Sequence, residues 1–348
     1  MRRAARVHEL FLGYACNERC LFCSQEFAWR RQPFTPFAEA ARRQWLAYKA
    51  GARVLVLNGG EPTLHEGLTR LVALARKTGY PEVHIQTNGL RLAEPGYAGE
   101  LAAAGLTMAR FSMHGPGAEL HDAQVQVPGA FAKAWAGLEN LRARGVAVGV
   151  NVVLNRMNAP RLRETCAWFL DRGVTDLGLI FPLYEGDMAF YGDRVALSMA
   201  DAAAAVRDAF EEFRARGAEP PFLLNMPPCV LPGYEGRILR WSGDSAALYD
   251  GAKSLLVDPE AYRLDRPEGG KGLAEAAAEQ KSKPASCARC VYAARCLGVA
   301  DRYLERFGAA ELAPLARVPA PFSRGWKGVK GWRRVLTPRE HAALRGSR

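Results

Sequence analysis

Between residues 7 and 216 the chain alternates between short runs of buried-strand character and amphipathic helical stretches, and that alternation restricts the fold more than any other feature. Val7–Tyr14 reads as a first strand, and Pro36–Ala50 as a helix opened by Thr35 and Pro36, an N-cap and first-turn pair. Val54–Asn58 is a second strand before a helix over Leu68–Lys77, and Val83–Gln86 a third, ended by Thr87-Asn88-Gly89. Ala109–Met113 is a fourth, ended by His114-Gly115, and the helix after it places Phe131, Trp135, Leu138 and Leu141 on one face. Val146–Leu154 and Asp176–Phe181 complete the strands, with helices over Arg161–Asp171 and Met199–Arg216. Strands joined through helices and short turns run parallel, with right-handed crossovers. The expected class is therefore α/β.

The first turn carries unusual chemistry. Cys16, Cys20 and Cys23 spell C-N-E-R-C-L-F-C. Four thiolates ligate an ordinary four-iron electron carrier, so three hold a [4Fe–4S] cubane with one iron open. No further cysteine occurs before Cys166. An open position is what a metal centre needs to bind a substrate or cosubstrate. A zinc knuckle would need a fourth ligand nearby, and His8 would have to fold back from a strand. A lipid-attachment reading of Cys16 fails, because Leu10–Ala15 is too short for a signal segment and His8 and Glu9 sit beside it.

With Phe22 between the last two cysteines, and Gly59-Gly60-Glu61-Pro62 directly after the second strand, the chain resembles the radical S-adenosylmethionine (SAM) enzymes. The resemblance implies a partial (β/α)6 TIM-like barrel, which six units within 7–216 accommodate. It also implies reductive cleavage of SAM at a [4Fe–4S] cluster, giving a 5′-deoxyadenosyl radical that abstracts hydrogen from the substrate. On this reading Gly59 and Gly60 let backbone approach the methionine part of SAM, Glu61 pairs with its ammonium, and Phe22 lies near the adenine. Barrel active sites gather at the C-terminal ends of strands. Pro62, Asn88, Ser112 and Asn151 at those ends are candidate SAM-binding residues. His114, Tyr184, Glu185 and Asp187 are candidate catalytic groups, whereas His121 and Asp122 read as caps of the following helix.

A second group, Cys287-x2-Cys290-x5-Cys296 with the distant Cys229, is similar to the SPASM and Twitch extensions of radical SAM enzymes, truncated here because position 300 is Ala300. The four thiols suffice for one fully ligated auxiliary [4Fe–4S] cluster; a structural zinc suits the same set. Cys166, on an apolar helix face with Leu162 and Phe169, reads as core.

The expected divisions are a barrel over 1–216, an auxiliary-cluster domain over 217–320 and a basic tail over 321–348. Net charge is +11, but it collects at the ends. Residues 1–6 hold Arg2, Arg3 and Arg6 without an acid, and 321–348 hold eight Lys/Arg against Glu340 alone. That tail is read as packed by Trp326 and Trp332 rather than as a nucleic-acid surface, and no run is apolar enough to span a membrane. Eight cysteines without a signal peptide point to a reducing cytoplasm and to metal ligation. The family likeness implies a reductant protein such as a flavodoxin or ferredoxin. The first expectation for the substrate is a peptide or protein. Because the barrel begins near residue 7, a separate peptide-recognition protein would then replace an N-terminal recognition domain. The alternatives are dehydrogenation or rearrangement of a small metabolite, and RNA modification.

Overall fold

The computed structural model describes residues 7–239, 241 and 281–321, with the backbone of short strands at 248–249, 255–256, 263–266 and 269–272. The tail, with Trp326 and Trp332, lies outside the described residues. The strands are β1 (Val7–Phe11), β2 (Val54–Asn58), β3 (Glu82–Thr87), β4 (Met108–Ser112), β5 (Ala147–Val153), β6 (Leu177–Ile180), β7 (Phe222–Leu224) and β8 (Ile238–Leu239). Each pairs in parallel with the next, and the sheet curls into a half-barrel. Beyond β1 lies Arg263–Arg266, parallel to it, and then Gly269–Gly272, antiparallel. The six expected strands are thus present, and the sheet continues past both of its expected edges.

The helices are α1 (Phe37–Lys49), α2 (Leu68–Thr78), α3 (Pro95–Ala103), α4 (Ala118–Val125), α5 (Ala130–Arg142), α6 (Leu162–Asp171), α7 (Gly186–Phe190), α8 (Gly192–Val195), α9 (Met199–Ala215) and α10 (Asp301–Phe307). Two local expectations change. Thr35 does not cap α1: its N–H donates to the Leu12 carbonyl at 2.7 Å and its carbonyl faces His65 Nε2 at 2.9 Å, tying the helix to the exit of β1. On α5, Leu138 and Leu141 are buried with Ala130 and Ala134, while Phe131 and Trp135 flank that stripe and pack edge-on against Trp168 of α6. Cys166 lies in the core, fully buried.

Alternation sorts each strand into two faces. One face, with Leu10, Leu55, Leu57, Ile85, Phe111, Val150, Val152 and Leu179, is the apolar core under the helices. The opposite face carries Glu9, Asn58, Gln86, Arg110, Ser112 and Asn151, placed side by side by registers such as Gln86↔Arg110 and Ser112↔Asn151. That polar face needs internal partners, because buried polar groups are costly when unpaired. Asn58 Nδ2 donates to Glu9, and Arg110 forms a buried ion pair with Asp176 while donating to Asn151 Oδ1 at 3.2 Å.

Candidate active site

The cysteine turn rests on the end of β2. Gly60 N–H donates to the Gly13 carbonyl and Glu61 N–H to the Ala15 carbonyl, both at 2.8 Å. A Cβ at Gly59 would stand 2.4 Å from the Gly13 oxygen, and one at Gly60 would stand 2.3 Å from the oxygens of Tyr14 and Ala15. The close approach that requires glycine is therefore made by the cysteine turn itself, whereas sequence reasoning had given that space to the cosubstrate.

Within the turn, Cys16 Sγ accepts from Glu18 N–H at 3.5 Å and Cys23 Sγ from Gln25 N–H at 3.4 Å. Cys20 Sγ lies 3.4 Å from Glu18 Oε2. Burial pushes the Cys16 thiol up to about 12, and it raises Cys20 and Cys23 as well, with Glu18, Cys23 and Cys16 adding to the shift of Cys20. Without a cation these thiols stay neutral; a bound metal would ionise them. Three neighbouring thiols, two already accepting backbone N–H groups, fit an iron–sulfur cluster. Among the described residues, no three His, Cys, Asp or Glu side chains are preformed as ligands to a single metal ion.

Glu61 is taken up by protein partners. It is fully buried: Oε1 accepts from Thr63 N–H (2.9 Å), Thr63 Oγ1 (2.6 Å) and Thr87 Oγ1 (2.7 Å), and Oε2 from Asn88 N–H (2.6 Å). Burial raises its pKa, and the hydrogen bonds from Thr63, Asn88 and Thr87 pull against that rise. A carboxylate with four hydrogen bonds, shut away from solvent, braces the ends of β2 and β3. Pro62, also buried, opens the short 3₁₀ turn that follows. Asn88 then reaches back, its Nδ2 donating to Asn17 Oδ1 at 2.7 Å beside Cys16.

Of the four expected catalytic groups, His114, Tyr184 and Asp187 are engaged by neighbouring protein groups. His114 is buried, its Nδ1 accepting from Val153 N–H at 3.2 Å, and its ring meets Phe22 edge-on at 4.5 Å. Burial, then the neighbouring His121, lowers its pKa well below the ordinary histidine value, and its ring braces Phe22. His121 faces it, accepting from the His114 N–H at 3.1 Å, and only Asp122 caps α5, through the N–H groups of Gly129 and Phe131. Tyr184 hydroxyl donates to the Leu197 carbonyl at 2.6 Å and accepts from its N–H at 2.9 Å, deep among Phe181, Tyr303 and Phe307. Glu185 occupies the N-cap position of α7. Asp187 forms a buried ion pair with Arg30 at 2.9 Å and accepts from Phe27 N–H at 3.0 Å, anchoring the chain that leaves the cysteine turn. Ser112 and Asn151 pair in register at the barrel mouth, where Asn151 is taken up by Arg110.

Cys229, Cys287, Cys290 and Cys296 all line one cavity of ≈ 30 Å³, otherwise walled by Pro227, Pro228, Tyr292, Val299 and Leu312. Gly298 N–H donates to Cys296 Sγ at 3.4 Å. Burial first, and then the other three thiols, push Cys229 up to about 12. Four thiols around one apolar cavity fit either a four-iron cluster or a zinc.

Sequence reasoning missed Arg30, Glu18, Thr63, Thr87 and the Arg110–Asp176 pair. Arg30 and Asp187 are 157 positions apart, so no local pattern joins them. Thr87, directly before Asn88 at a strand end, was within reach of the same positional argument that found Asn88.

Residues 10–169 match the profile of the Radical SAM superfamily. A GTP 3′,8-cyclase of Heliobacterium modesticaldum is 32% identical over 192 residues, 52% of this chain and 57% of that protein. The chain spans a little over half the length of the curated relatives it matches. Among solved structures, native anSMEcpe with bound AdoMet and Cp18Cys peptide aligns with a TM-score of 0.59 at 17% identity, covering 98% of this chain and 99% of that one. Streptococcus suis SuiB bound to S-adenosylmethionine aligns with a TM-score of 0.60 at 13% identity, covering 89% and 76%. At these identities the structural likeness is one of fold.

Proposed function

We propose that this chain, whose residues 10–169 match the Radical SAM superfamily, is a radical SAM enzyme in which Cys16, Cys20 and Cys23 hold a [4Fe–4S] cluster with one iron left for SAM, and that the resulting radical abstracts hydrogen from a peptide or protein side chain. The cluster, when bound, supplies the electron that breaks a C–S bond of SAM. The chain's own part is placement. Gly59 and Gly60 seat the turn, Glu61 and Asn88 brace it from β2 and β3, and Phe22, held by His114, shields its inner side. Arg30 and Asp187 fasten its outgoing end. Cys229, Cys287, Cys290 and Cys296 would hold an auxiliary [4Fe–4S] cluster.

The observation that carries this reading is the seating of three thiols on Gly59-Gly60 at the mouth of a polar concave face. A peptide substrate is supported by the fold likeness to a peptide-bound structure over nearly the whole chain. A second reading, a compact polar metabolite, draws on the nucleotide cyclase among the relatives and on the buried Arg110–Asp176 pair of that face.

Anaerobic reconstitution should give about eight irons. Replacing Cys16, Cys20 and Cys23 by Ala should abolish 5′-deoxyadenosine formation while leaving iron at the other group. About four irons with one zinc would sink the auxiliary cluster, and persistent SAM cleavage in the triple variant would sink the mechanism. Deuterium transfer into 5′-deoxyadenosine from labelled peptides, and not from labelled metabolites, is the expected outcome; the reverse would establish the second reading.

A further inference from the structure

The cysteine turn runs directly into a 3₁₀ turn, Phe27–Arg31. The Arg30 side chain is only 5% exposed, and two of its nitrogens are committed. Nη1 donates to the Glu18 carbonyl at 2.7 Å, inside the cysteine turn, and Nη2 to Asp187 Oδ2 at 2.9 Å, at the start of α7. Its buried Nε–H makes no hydrogen bond to a protein nitrogen or oxygen, and the guanidinium stands within hydrogen-bonding reach of the Cys23 sulfur. The guanidinium interacts electrostatically with Cys23 and Cys16. A buried charged donor is costly unless it finds an acceptor, and the sulfur beside it is a cluster ligand.

We propose that Arg30 is a positioning residue that sets the potential of the cluster on Cys16, Cys20 and Cys23, donating its Nε–H to a sulfur there and favouring the reduced form with its charge. This rests on the cluster reading above. One-electron reduction makes a cluster more negative, so a cation held close to one ligand raises the potential, as hydrogen bonds to sulfur do. Asp187 both aims the guanidinium and partly offsets its charge.

The test is an EPR-monitored redox titration of the signal that SAM perturbs, on reconstituted wild type, Arg30→Gln, Arg30→Lys and Asp187→Asn, with iron counted in each. Arg30→Gln should lower the reduced-to-oxidised ratio at the wild-type midpoint about tenfold, which is 59 mV for one electron. Arg30→Lys keeps the charge without the planar fork and should fall between the two. Asp187→Asn should shift the midpoint upward, a sign that mere loosening of the turn does not produce. Unchanged midpoints in iron-loaded Arg30→Gln and Asp187→Asn would overturn the proposal. If Arg30→Gln binds no iron, Arg30→Lys and Asp187→Asn carry the test, and wild-type midpoints in both overturn it. A wild type with no SAM-perturbed signal at all would instead sink the cluster reading.

Discussion

Glu61→Gln separates a brace from a cosubstrate contact. The substitution keeps one oxygen and turns the other into an NH₂ group. In the milder orientation the oxygen stays with Thr63 and Thr87, and the NH₂ faces the Asn88 N–H, donor against donor, across what was a 2.6 Å bond. One hydrogen bond to a charged group is lost, worth about 1.5–3 kcal/mol, and one buried donor is orphaned, costing about 1–3 kcal/mol more. The reverse orientation sets the NH₂ against the Thr63 N–H and forces the Thr63 and Thr87 hydroxyls to turn from donor to acceptor. A loss of roughly 3–5 kcal/mol follows. With a slope of about 3 kcal/mol per molar, the urea midpoint of the SAM-free protein, followed by circular dichroism, should fall by about 1 M or more. An unchanged midpoint together with weakened SAM binding would refute the reasoning and return Glu61 to the ammonium.

His114 and His121 should make the fold acid-sensitive. Burial lowers His121 to about 4 and, with His121 beside it, lowers His114 well below the ordinary histidine value. Their stabilising effect is intact above the ordinary histidine value of about 6.5 and is lost as pH falls from there toward 4, because the unfolded chain takes up protons the fold refuses. The slope is about 1.4 kcal/mol per pH unit for each histidine, and His121→Gln should flatten the urea-midpoint profile between pH 7 and 5; an unchanged slope would contradict the burial argument. Tyr184→Phe removes both bonds to Leu197 and should cost about 1–3 kcal/mol of stability with no change in the rate of SAM cleavage. A collapse of that rate at unchanged stability would restore Tyr184 as a catalytic group.

The strand order was legible because buried parallel strands announce themselves as short apolar runs, and Val54–Asn58 is found where that pattern puts it. The thiol groups were legible because ligand spacing is a local property of sequence, and the cavity shared by Cys229 with the three later cysteines agrees with that grouping. Individual roles were harder to read. Glu61 and Tyr184 are polar residues at strand ends, and position alone cannot tell a side chain aimed at solvent from one consumed by neighbours. That distinction depends on partners such as Thr87 and Leu197, which only the folded chain brings close. Short edge strands such as Phe222–Leu224 and Ile238–Leu239 are too brief for any periodicity, so the sheet's continuation was invisible.

One stretch of chain has two attachments. Past β6, Tyr184 meets the rings of Tyr303 and Phe307 of α10 edge-on, and Tyr303 donates to Glu311 while accepting from the Met199 N–H. Four residues on, the Met188 N–H donates to the Cys23 carbonyl at 2.9 Å. The span from Tyr184 to Met188 therefore works as a tie rod between the two thiol-bearing regions. Damage confined to the distal four-cysteine module, such as oxidation of Cys290, is then expected to register as a disturbance at Cys23 across the barrel mouth.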